Sequence, residues 1–252
     1  SFRIFFRPQR SDLVKLLIML FYGIVLGGCG RSSDPIGELT RELERYPEYS
    51  LILHDLRVED GFMPEYALQF KVLTASGQRV SGRDTLVYEE RKTDWVSVRE
   101  TEYARYENFV GMVVASKNLN GQRTGTQQAY PAGYQYVGNP SYGFWGNGGF
   151  WQFYGQYALM RDLMGGWNVG RSDWEGYRRN RQKGRPYYGP KESNGQSTFG
   201  TRGTQVKKTR PSFYNRQVQR RQAFSNKVSS RMGQTRSSSS VWGRSSSRSF
   251  GK

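Results

Sequence analysis

The segment that decides the fold reads Tyr66-Ala-Leu-Gln-Phe-Lys-Val-Leu-Thr74. Large apolar side chains occupy every second position from Tyr66 to Val72, and the polar residues Gln69 and Lys71 stand between them. Because the side chains of a strand alternate between the two faces of a sheet, this period of two predicts a strand with one buried face.

Further strand-like segments lie before and after this one. They cover residues 49–58, 85–90, 94–99 and 108–115, and the last of them is the most apolar. Glycine and polar residues at 76–78 and 81–84 predict turns. Successive short strands joined by turns favour an antiparallel sheet.

We expect one helix ahead of the sheet. Asp34 followed by Pro35 is typical of a helix start. The apolar residues Ile36, Leu39 and Leu43 then share one face at spacings of three and four. The pattern predicts a helix from residue 36 to about residue 46 that packs on the sheet. Residues 36–117 would form a small α+β domain, for which we expect a cystatin-like roll.

The N-terminal 28 residues have the pattern of a secretory signal peptide. Four basic residues precede the apolar run Leu16–Leu26, and small residues follow it. This run is shorter than the roughly 20 residues that cross a bilayer as a helix. An uncleaved membrane anchor is the alternative interpretation.

The sequence Leu26-Gly27-Gly28-Cys29 resembles the lipobox of bacterial lipoproteins. The resemblance implies that lipid is transferred to the Cys29 thiol, that the chain is cleaved before Cys29, and that residues 29–35 form a tether. It further implies a multiply acylated cysteine, which meets the requirement of two lipid signals for stable anchoring. The expected location is the bacterial cell envelope, with the protein lipid-anchored to a membrane and facing the periplasm or the exterior. Cys29 is also the only cysteine, so no disulfide forms within one molecule.

The charges divide the chain into two parts. Residues 29–120 carry 12 basic and 16 acidic residues, a net charge of −4, whereas residues 121–252 carry 22 basic and 4 acidic residues, a net charge of +18. No acidic residue follows Glu192. This asymmetry predicts a folded part followed by a basic interaction tail.

Residues 118–175 form a segment rich in glycine and aromatic residues. Within it, residues 150–164 place large apolar side chains on one helical face, which predicts an amphipathic helix. Such a helix either covers the open face of the preceding sheet or binds a membrane surface or a partner. Tryptophan and tyrosine are enriched at membrane interfaces, which is why the second interpretation stays open.

Residues 176–252 lack hydrophobic periodicity, and we predict that they are disordered. Aromatic residues are scattered among their arginines and lysines, a combination that attracts and stacks on polyanions. We expect contacts with anionic lipid, acidic glycan or an envelope protein; a solubilising tail without a partner is the alternative. The residues proposed for these contacts are Arg178, Arg179, Arg181, Lys183, Lys207, Lys208, Arg210, Arg220 and Arg221.

The sequence does not predict an enzyme. His54 is the only histidine and lies in an expected strand, where a structural role is the usual one. Without further histidines or cysteines, the chain offers no zinc ligand set. No motif supports a Ser-His-Asp triad. The glycine-rich stretch at residues 143–149 lacks the Lys-Ser/Thr pair of a nucleotide-binding loop. We expect no metal site and no cofactor.

These observations favour a non-enzymatic, membrane-anchored envelope lipoprotein with a cationic tail. The alternative is a membrane-anchored protein that binds nucleic acid through the same basic and aromatic tail. The positive flank before Leu16 weighs against it, because that flank stays in the cytoplasm and a spanning segment would send the tail outward. A scaffold subunit whose aromatic segment docks on a partner is a third interpretation.

Overall fold

The computed structural model describes residues 34–59, 61–80 and 83–238, so the predicted signal peptide and the lipobox-like segment with Cys29 lie outside the described residues. The chain divides into two compact units, residues 1–39 and residues 40–252. In the first unit, the carboxylate of Asp34 accepts a hydrogen bond of 3.0 Å from the Gly37 N–H. This contact satisfies one of the amide groups that a helix start leaves unpaired, which confirms the predicted cap.

The described residues form six α-helices, of which the last is the longest. They are α1 (Pro35–Leu43), α2 (Glu100–Tyr106), α3 (Ala158–Leu163), α4 (Arg171–Gln182), α5 (Thr204–Thr209) and α6 (Pro211–Ser238). The predicted first helix is confirmed, but it ends at Leu43 and not at residue 46. Leu43 is fully buried in the second unit.

Nine strands form one large sheet and one separate hairpin. They are β1 (Glu48–Glu59), β2 (Glu65–Val80), β3 (Arg83–Lys92), β4 (Val96–Val98), β5 (Met112–Lys117), β6 (Arg123–Thr124), β7 (Tyr130–Pro131), β8 (Gly143–Trp145) and β9 (Trp151–Phe153). The large sheet is antiparallel with the order β3-β2-β1-β5-β6; β4 extends the edge beside β2, and β7 extends the edge beside β5. The α+β class is confirmed, while the cystatin-like topology stays a prediction.

The central strands pair as the alternation predicts. Leu51 lies opposite Val72 and Leu53 opposite Phe70, and all four side chains are fully buried. The turn predicted at residues 76–78 is wrong, because β2 runs through it in register with β3. Cross-strand hydrogen bonds along this long hairpin override the local turn preference of Gly77.

Helix α2 covers the face of the sheet that carries Phe70. The Tyr106 ring meets the Phe70 ring edge-on with centroids 6.3 Å apart, and Tyr103 contacts Tyr66 at 5.2 Å. The sequence analysis missed this helix. Its start is stabilised by Glu102, whose carboxylate accepts a hydrogen bond of 3.1 Å from the backbone N–H of Arg99.

The glycine and aromatic segment covers the opposite face of the sheet. Leu73, whose neighbour Val72 points to the α2 side, packs in one buried cluster with Tyr136, Tyr142 and Met160. The sheet itself continues beyond residue 117, because β6 and β7 both pair with β5. The segment therefore completes the core of the preceding sheet.

The continuous helix predicted over residues 150–164 is wrong. Its first residues form β9, the Trp151 N–H donates to the Val169 carbonyl at 2.9 Å, and only residues 158–163 are α-helical. The hairpin with β8 and this contact supply the hydrogen bonds that a helix would have made. Met160 and Met164 are nevertheless buried, as the predicted apolar face required.

The disorder predicted from residue 176 onward is also wrong for residues 176–214. They include the end of α4, all of α5 and the start of α6, and Tyr187, Phe199, Val206 and Phe213 are buried. The Tyr134 ring contacts Phe199 at 5.6 Å and Tyr187 at 6.0 Å. A few aromatic side chains suffice here because earlier parts of the chain provide the core into which they insert.

Candidate functional site

The candidate site lies where the β8–β9 hairpin meets helix α4. The hairpin depends on Gly143, since a Cβ atom there would lie 2.0 Å from the Gln152 carbonyl oxygen of the facing strand. Trp145 and Trp151 are paired across the hairpin, with ring centroids 5.2 Å apart. Trp151 is buried, whereas Trp145 is half-buried and faces α4.

Two arginines and two tryptophans form a ladder at this junction. The Arg171 guanidinium lies 4.7 Å from the centroid of the Trp145 ring, and Arg178 lies 4.9 Å from the Trp174 ring. The two tryptophan rings contact each other edge-to-face with centroids 5.7 Å apart. We call the four residues Arg171, Trp145, Trp174 and Arg178 the Arg–Trp ladder. Each cation–π contact of this kind is worth about 0.5–1 kcal/mol at an exposed position.

Helical spacing places three of the four ladder residues on one face of α4. Arg171, Trp174 and Arg178 follow one another at spacings of three and four, so their side chains lie above one another. The opposite face of α4 carries Asp173 and Tyr177, which are both buried. The helix is therefore fixed by one face and presents its cationic face outward.

Asp173 fixes the helix through three side-chain hydrogen bonds. Its carboxylate accepts from the Tyr134 hydroxyl at 2.9 Å, from the Trp167 indole N–H at 3.0 Å and from the Tyr187 hydroxyl at 2.7 Å. Burial and the neighbouring Asp173 charge raise the pKa of Tyr134 and of Tyr187, so both hydroxyls remain protonated donors.

Gly138 allows the Trp174 ring of the ladder to pack closely against the backbone. A Cβ atom at this position would lie 2.4 Å from the Trp174 ring, and the backbone φ of +81° falls in the region that favours glycine. The indole thus packs directly against the backbone. This close approach fixes the position of the Trp174 ring relative to the loop that contains Gly138.

Three large aromatic side chains in and next to the hairpin are exposed. Phe144, Phe150 and Tyr154 are 52%, 48% and 42% exposed, and Phe144 contacts Tyr154 at 5.9 Å. Exposed large apolar side chains in one neighbourhood mark interaction sites on soluble surfaces. Phe150 forms a backbone bridge with Gly170, the residue before Arg171, whereas Phe144 precedes Trp145 in β8 and therefore points to the other face of the hairpin. We call the Arg–Trp ladder together with Phe150 the ladder surface.

Further cations extend this surface along α4. Arg179 and Lys183 are exposed, and the nearest oppositely charged partner of Arg179 is Glu175 at 4.0 Å, a weak surface pair. Asp173 adds no outward negative charge because it is buried. The surface is therefore cationic and aromatic, a combination suited to phosphate-bearing or carboxylate-bearing partners.

The structure divides the nine predicted polyanion-binding residues into groups. Arg178, Arg179 and Lys183 are exposed on α4, whereas Arg181 is half-buried over the Tyr130 ring at 5.2 Å. Lys207 and Lys208 are exposed on α5, and Arg221 is exposed on α6. The exposed residues of this set therefore lie on three different helices.

Arg210 and Arg220 have structural contacts that the sequence analysis did not foresee. The Arg210 guanidinium pairs with the Asp55 carboxylate at 2.5 Å and donates to the His54 carbonyl, and Arg220 donates to the Val58 carbonyl at 2.9 Å. This ion pair joins the C-terminal helices to β1, and the assignment of Arg210 to a polyanion site stays a prediction.

Sequence reasoning also missed Arg171, Trp145 and Trp174. The available signal was the spacing Arg171-x-x-Trp174-x-x-x-Arg178, which places the two cations and the ring on one helical face. Trp145 carried no such signal, because only the hairpin brings it to α4.

The histidine is enclosed by cationic neighbours. Burial, together with the charges of Arg210, Lys92 and Lys71, lowers the pKa of His54 to about 4. Its imidazole is therefore neutral near pH 7. In the described part of the chain, no cluster of potential metal-ligating side chains occurs, and no helix is long and apolar enough to cross a membrane.

Comparison with protein-family models, with curated protein sequences and with solved structures finds no match.

Proposed function

We propose that this protein is a non-enzymatic lipoprotein of the bacterial cell envelope, anchored through Cys29, whose ladder surface binds an anionic membrane. The observation that carries the proposal is the Arg–Trp ladder beside the exposed ring of Phe150. The lipid anchor itself rests on the resemblance of Leu26-Gly27-Gly28-Cys29 to a lipobox.

The chemistry of the ladder surface fits the boundary between water and lipid. Tryptophan and tyrosine rings favour that boundary, and a basic residue near an anionic leaflet gains about 1 kcal/mol. Guanidinium groups pair with phosphate oxygens through two parallel hydrogen bonds. Arg171 and Arg178 are held in place by the rings beneath them, so less side-chain entropy is lost on binding.

A lipid anchor and a weak membrane-binding surface support each other. Once the chain is tethered, contact of the ladder surface with lipid becomes an intramolecular step with a high effective concentration. A surface of modest affinity then suffices to hold the folded part on the membrane. The protein would present its remaining faces to partners in the envelope.

Nucleic acid is the second candidate ligand for the same residues. Base stacking requires an accessible ring face, whereas Arg171 and Arg178 already lie over the faces of Trp145 and Trp174. This arrangement favours lipid head groups over bases. A membrane-anchored nucleic-acid-binding protein is therefore the weaker proposal.

The membrane contact is tested by quenching of tryptophan fluorescence with brominated lipids. None of the six tryptophans lies in residues 1–30, and Trp242→Phe in every protein used removes the one that follows residue 238, so the signal reports on the described residues and not on the anchor. The full chain is reconstituted into vesicles of phosphatidylcholine alone or mixed with phosphatidylglycerol. We expect the ratio of quenched to unquenched intensity to fall further in the anionic vesicles.

The variant pair Arg171→Gln/Arg178→Gln should lose at least half of this additional quenching. The matched control is Arg105→Gln/Arg216→Gln, which removes the same charge from exposed positions on α2 and α6 and should behave as wild type. Equal quenching in neutral and anionic vesicles, or an equal loss in both pairs, would reject the proposal.

The anchor needs a separate measurement. The intact mass of the membrane-extracted protein should match residues 29–252 plus acyl chains, and a Cys29→Ser variant should lack that species. An unmodified chain that retains residues 1–28 would contradict the lipoprotein assignment. It would favour the alternative of a membrane-anchored protein that binds nucleic acid.

A further inference from the structure

A groove of about 1010 Å³ lies away from the ladder surface, between the first half of α6 and the ends of β1, β2 and α2. Val58, Tyr66 and Tyr103 line it from the sheet and α2, and Tyr214, Gln217 and Arg221 line it from α6. Its volume matches the upper range of small-molecule sites, and its open shape admits a chain-like ligand.

Aromatic rings form one side of this groove. Tyr66 and Tyr103 contact each other with centroids 5.2 Å apart, and Tyr214 approaches from α6. Burial raises the pKa of the Tyr103 hydroxyl, which therefore stays protonated. Tyrosine offers both a flat apolar face and a hydroxyl group, so it suits ligands that alternate C–H and O–H surfaces.

The charges in the groove are mainly positive. Arg202, Arg220 and Arg221 line it, and Glu107 is the only carboxylate among its described lining residues. Arg202 donates a hydrogen bond of 2.9 Å to the Asn108 side chain, and Arg220 donates one to the Val58 carbonyl. These contacts hold guanidinium groups along the groove, where they can bind carboxylate or sulfate oxygens.

The remaining polar lining consists of amides and hydroxyls. Gln217 and Gln222 can donate and accept at once, and Ser225 adds a hydroxyl group. The Thr201 hydroxyl is already used within the protein, because it donates to the Glu107 carbonyl and accepts from the Val110 N–H. A lipid tail would cover the groups of Gln217, Gln222 and Ser225 without offering them hydrogen-bond partners, which costs about 1–3 kcal/mol for each group that it buries. A ligand rich in hydroxyl groups satisfies them.

We infer that this groove binds an acidic oligosaccharide, that is, a short chain of sugar units carrying carboxylate or sulfate groups. The tyrosine faces contact the C–H surfaces of the sugar rings, the amides and hydroxyls pair with the sugar hydroxyls, and Arg202 and Arg221 bind the acidic groups. The inference uses residues outside the ladder surface and does not depend on the proposed membrane contact.

Isothermal titration calorimetry of the full chain tests this inference. The protein is kept in a polyoxyethylene detergent, which has no sugar head group, at 150 mM salt. The probes are a heparin-derived hexasaccharide, a hexamer of galacturonic acid and, as the neutral control, maltohexaose. We expect the acidic probes to bind at least tenfold more tightly than the neutral one.

The variant pair Arg202→Gln/Arg221→Gln should weaken binding of the acidic hexamers at least tenfold without changing the thermal unfolding midpoint. Arg105→Gln/Arg216→Gln removes the same charge outside the groove and should bind as wild type. Arg171→Gln/Arg178→Gln should also bind normally, so a failure of the membrane proposal is recognised separately.

Several outcomes would overturn the inference. Equal weakening in all three variant pairs would mean attraction by overall charge. Tighter binding of a single-stranded DNA dodecamer that depends on Arg202 and Arg221 would assign the groove to nucleic acid. Absence of heat with both acidic hexamers would mean that the groove is not a saccharide site.

Discussion

Glu48 shows how single residues join the sheet to its aromatic cover. Its side chain is buried at the start of β1, where one carboxylate oxygen accepts from the Tyr88 hydroxyl at 2.7 Å and the other from the Gln135 amide at 3.1 Å. Tyr88 in turn shares a hydrogen bond of 2.8 Å with Tyr142. Burial raises the pKa of Glu48, although the hydrogen bond from Tyr88 lowers it in part.

Glu48 should make stability depend on pH. Because its pKa is raised in the folded state, the folded protein binds the proton more tightly than the unfolded chain, so stability falls as pH rises from the ordinary glutamate pKa through the raised one. We expect Glu48→Gln to remove this decrease. Urea unfolding at a series of pH values from 4 to 8 measures it.

The quantity to follow is the free energy of unfolding of Glu48→Gln minus that of the wild type at each pH. This difference should favour the variant increasingly as pH rises, since glutamine carries no charge. Its side-chain oxygen can accept from the Gln135 amide, and its NH2 group can donate to the Tyr88 hydroxyl, which can then donate to Tyr142. Glu89→Gln, an exposed change on β3, should leave the pH profile unaltered. A Glu48→Gln profile parallel to that of wild type would contradict the assigned cause.

At the scale of the element, α4 carries two functions on two faces. Its buried face is held by Asp173, and its outward face carries Arg171, Trp174 and Arg178. Helix propensity alone would not fix the rotation of this arginine-rich helix. The three hydrogen bonds to Asp173 do so, and they thereby aim the ladder outward.

Asp173→Ala should destabilise the protein by about 2 kcal/mol or more, since each unsatisfied buried donor costs about 1–3 kcal/mol. The change removes the acceptor of the buried Tyr134 hydroxyl and of the half-buried Trp167 indole N–H, whereas the Tyr187 hydroxyl keeps the Asp173 backbone carbonyl at 3.0 Å as its acceptor. Urea unfolding measures the loss. Asp162→Ala, at an exposed aspartate on α3, is the control and should change stability by less than about 0.5 kcal/mol.

The Asp173→Ala variant also tests the ladder surface through tryptophan quenching. If Asp173 orients α4, the additional quenching by anionic brominated lipid should fall in Asp173→Ala at temperatures where the variant remains folded. Unchanged stability in Asp173→Ala would contradict the role of the carboxylate as the acceptor that the Tyr134 hydroxyl and the Trp167 indole N–H require.

At the scale of the whole molecule, the basic C-terminal half is part of the core. Tyr187, Phe199, Val206 and Phe213 are buried among residues of the earlier segments. Burial of each such side chain contributes about 1.5–3 kcal/mol. Their sum is comparable with the whole stability of a typical domain, which is about 5–15 kcal/mol.

A chain that ends at residue 175 should therefore fail to unfold cooperatively. We expect a broad thermal transition and exposed apolar surface, detected by circular dichroism and by binding of the dye ANS. The control is a chain that ends at Ser238, which keeps all the described residues and should keep the cooperative transition. A truncated chain with the stability of the control would restore the interpretation of residues 176–214 as a dispensable tail.

Local patterns in the sequence predicted the sheet well and its surroundings poorly. The alternation from Tyr66 to Val72 identified β2, and Asp34-Pro35 identified the start of α1, because both signals depend on near neighbours. Helix α2 escaped because Arg99 replaces the usual serine or threonine before Glu102. The local pattern of residues 150–164 predicts a helix, because it does not reveal that Trp151–Phe153 pairs with the strand Gly143–Trp145.

The candidate site was predicted only in part. Arg178, Arg179 and Lys183 are dense in the sequence and also exposed together on α4. Arg210 could not be distinguished from them, because the carboxylate of Asp55 lies 155 residues away in the chain. Charge composition reveals how many cations a chain has, but not which of them it uses for its own ion pairs.

The sequence by itself determined the antiparallel sheet, the start of its first helix, the excess of positive charge and the lipobox-like segment ending at Cys29. Each is encoded by residues close together in the chain. Only the tertiary structure decided that residues 118–214 complete the core, that Trp145 meets Trp174, and that Arg210 is an internal contact. Aromatic side chains and guanidinium groups are as effective in a core or an ion pair as at a surface. Their role depends on which distant partner the fold brings to them.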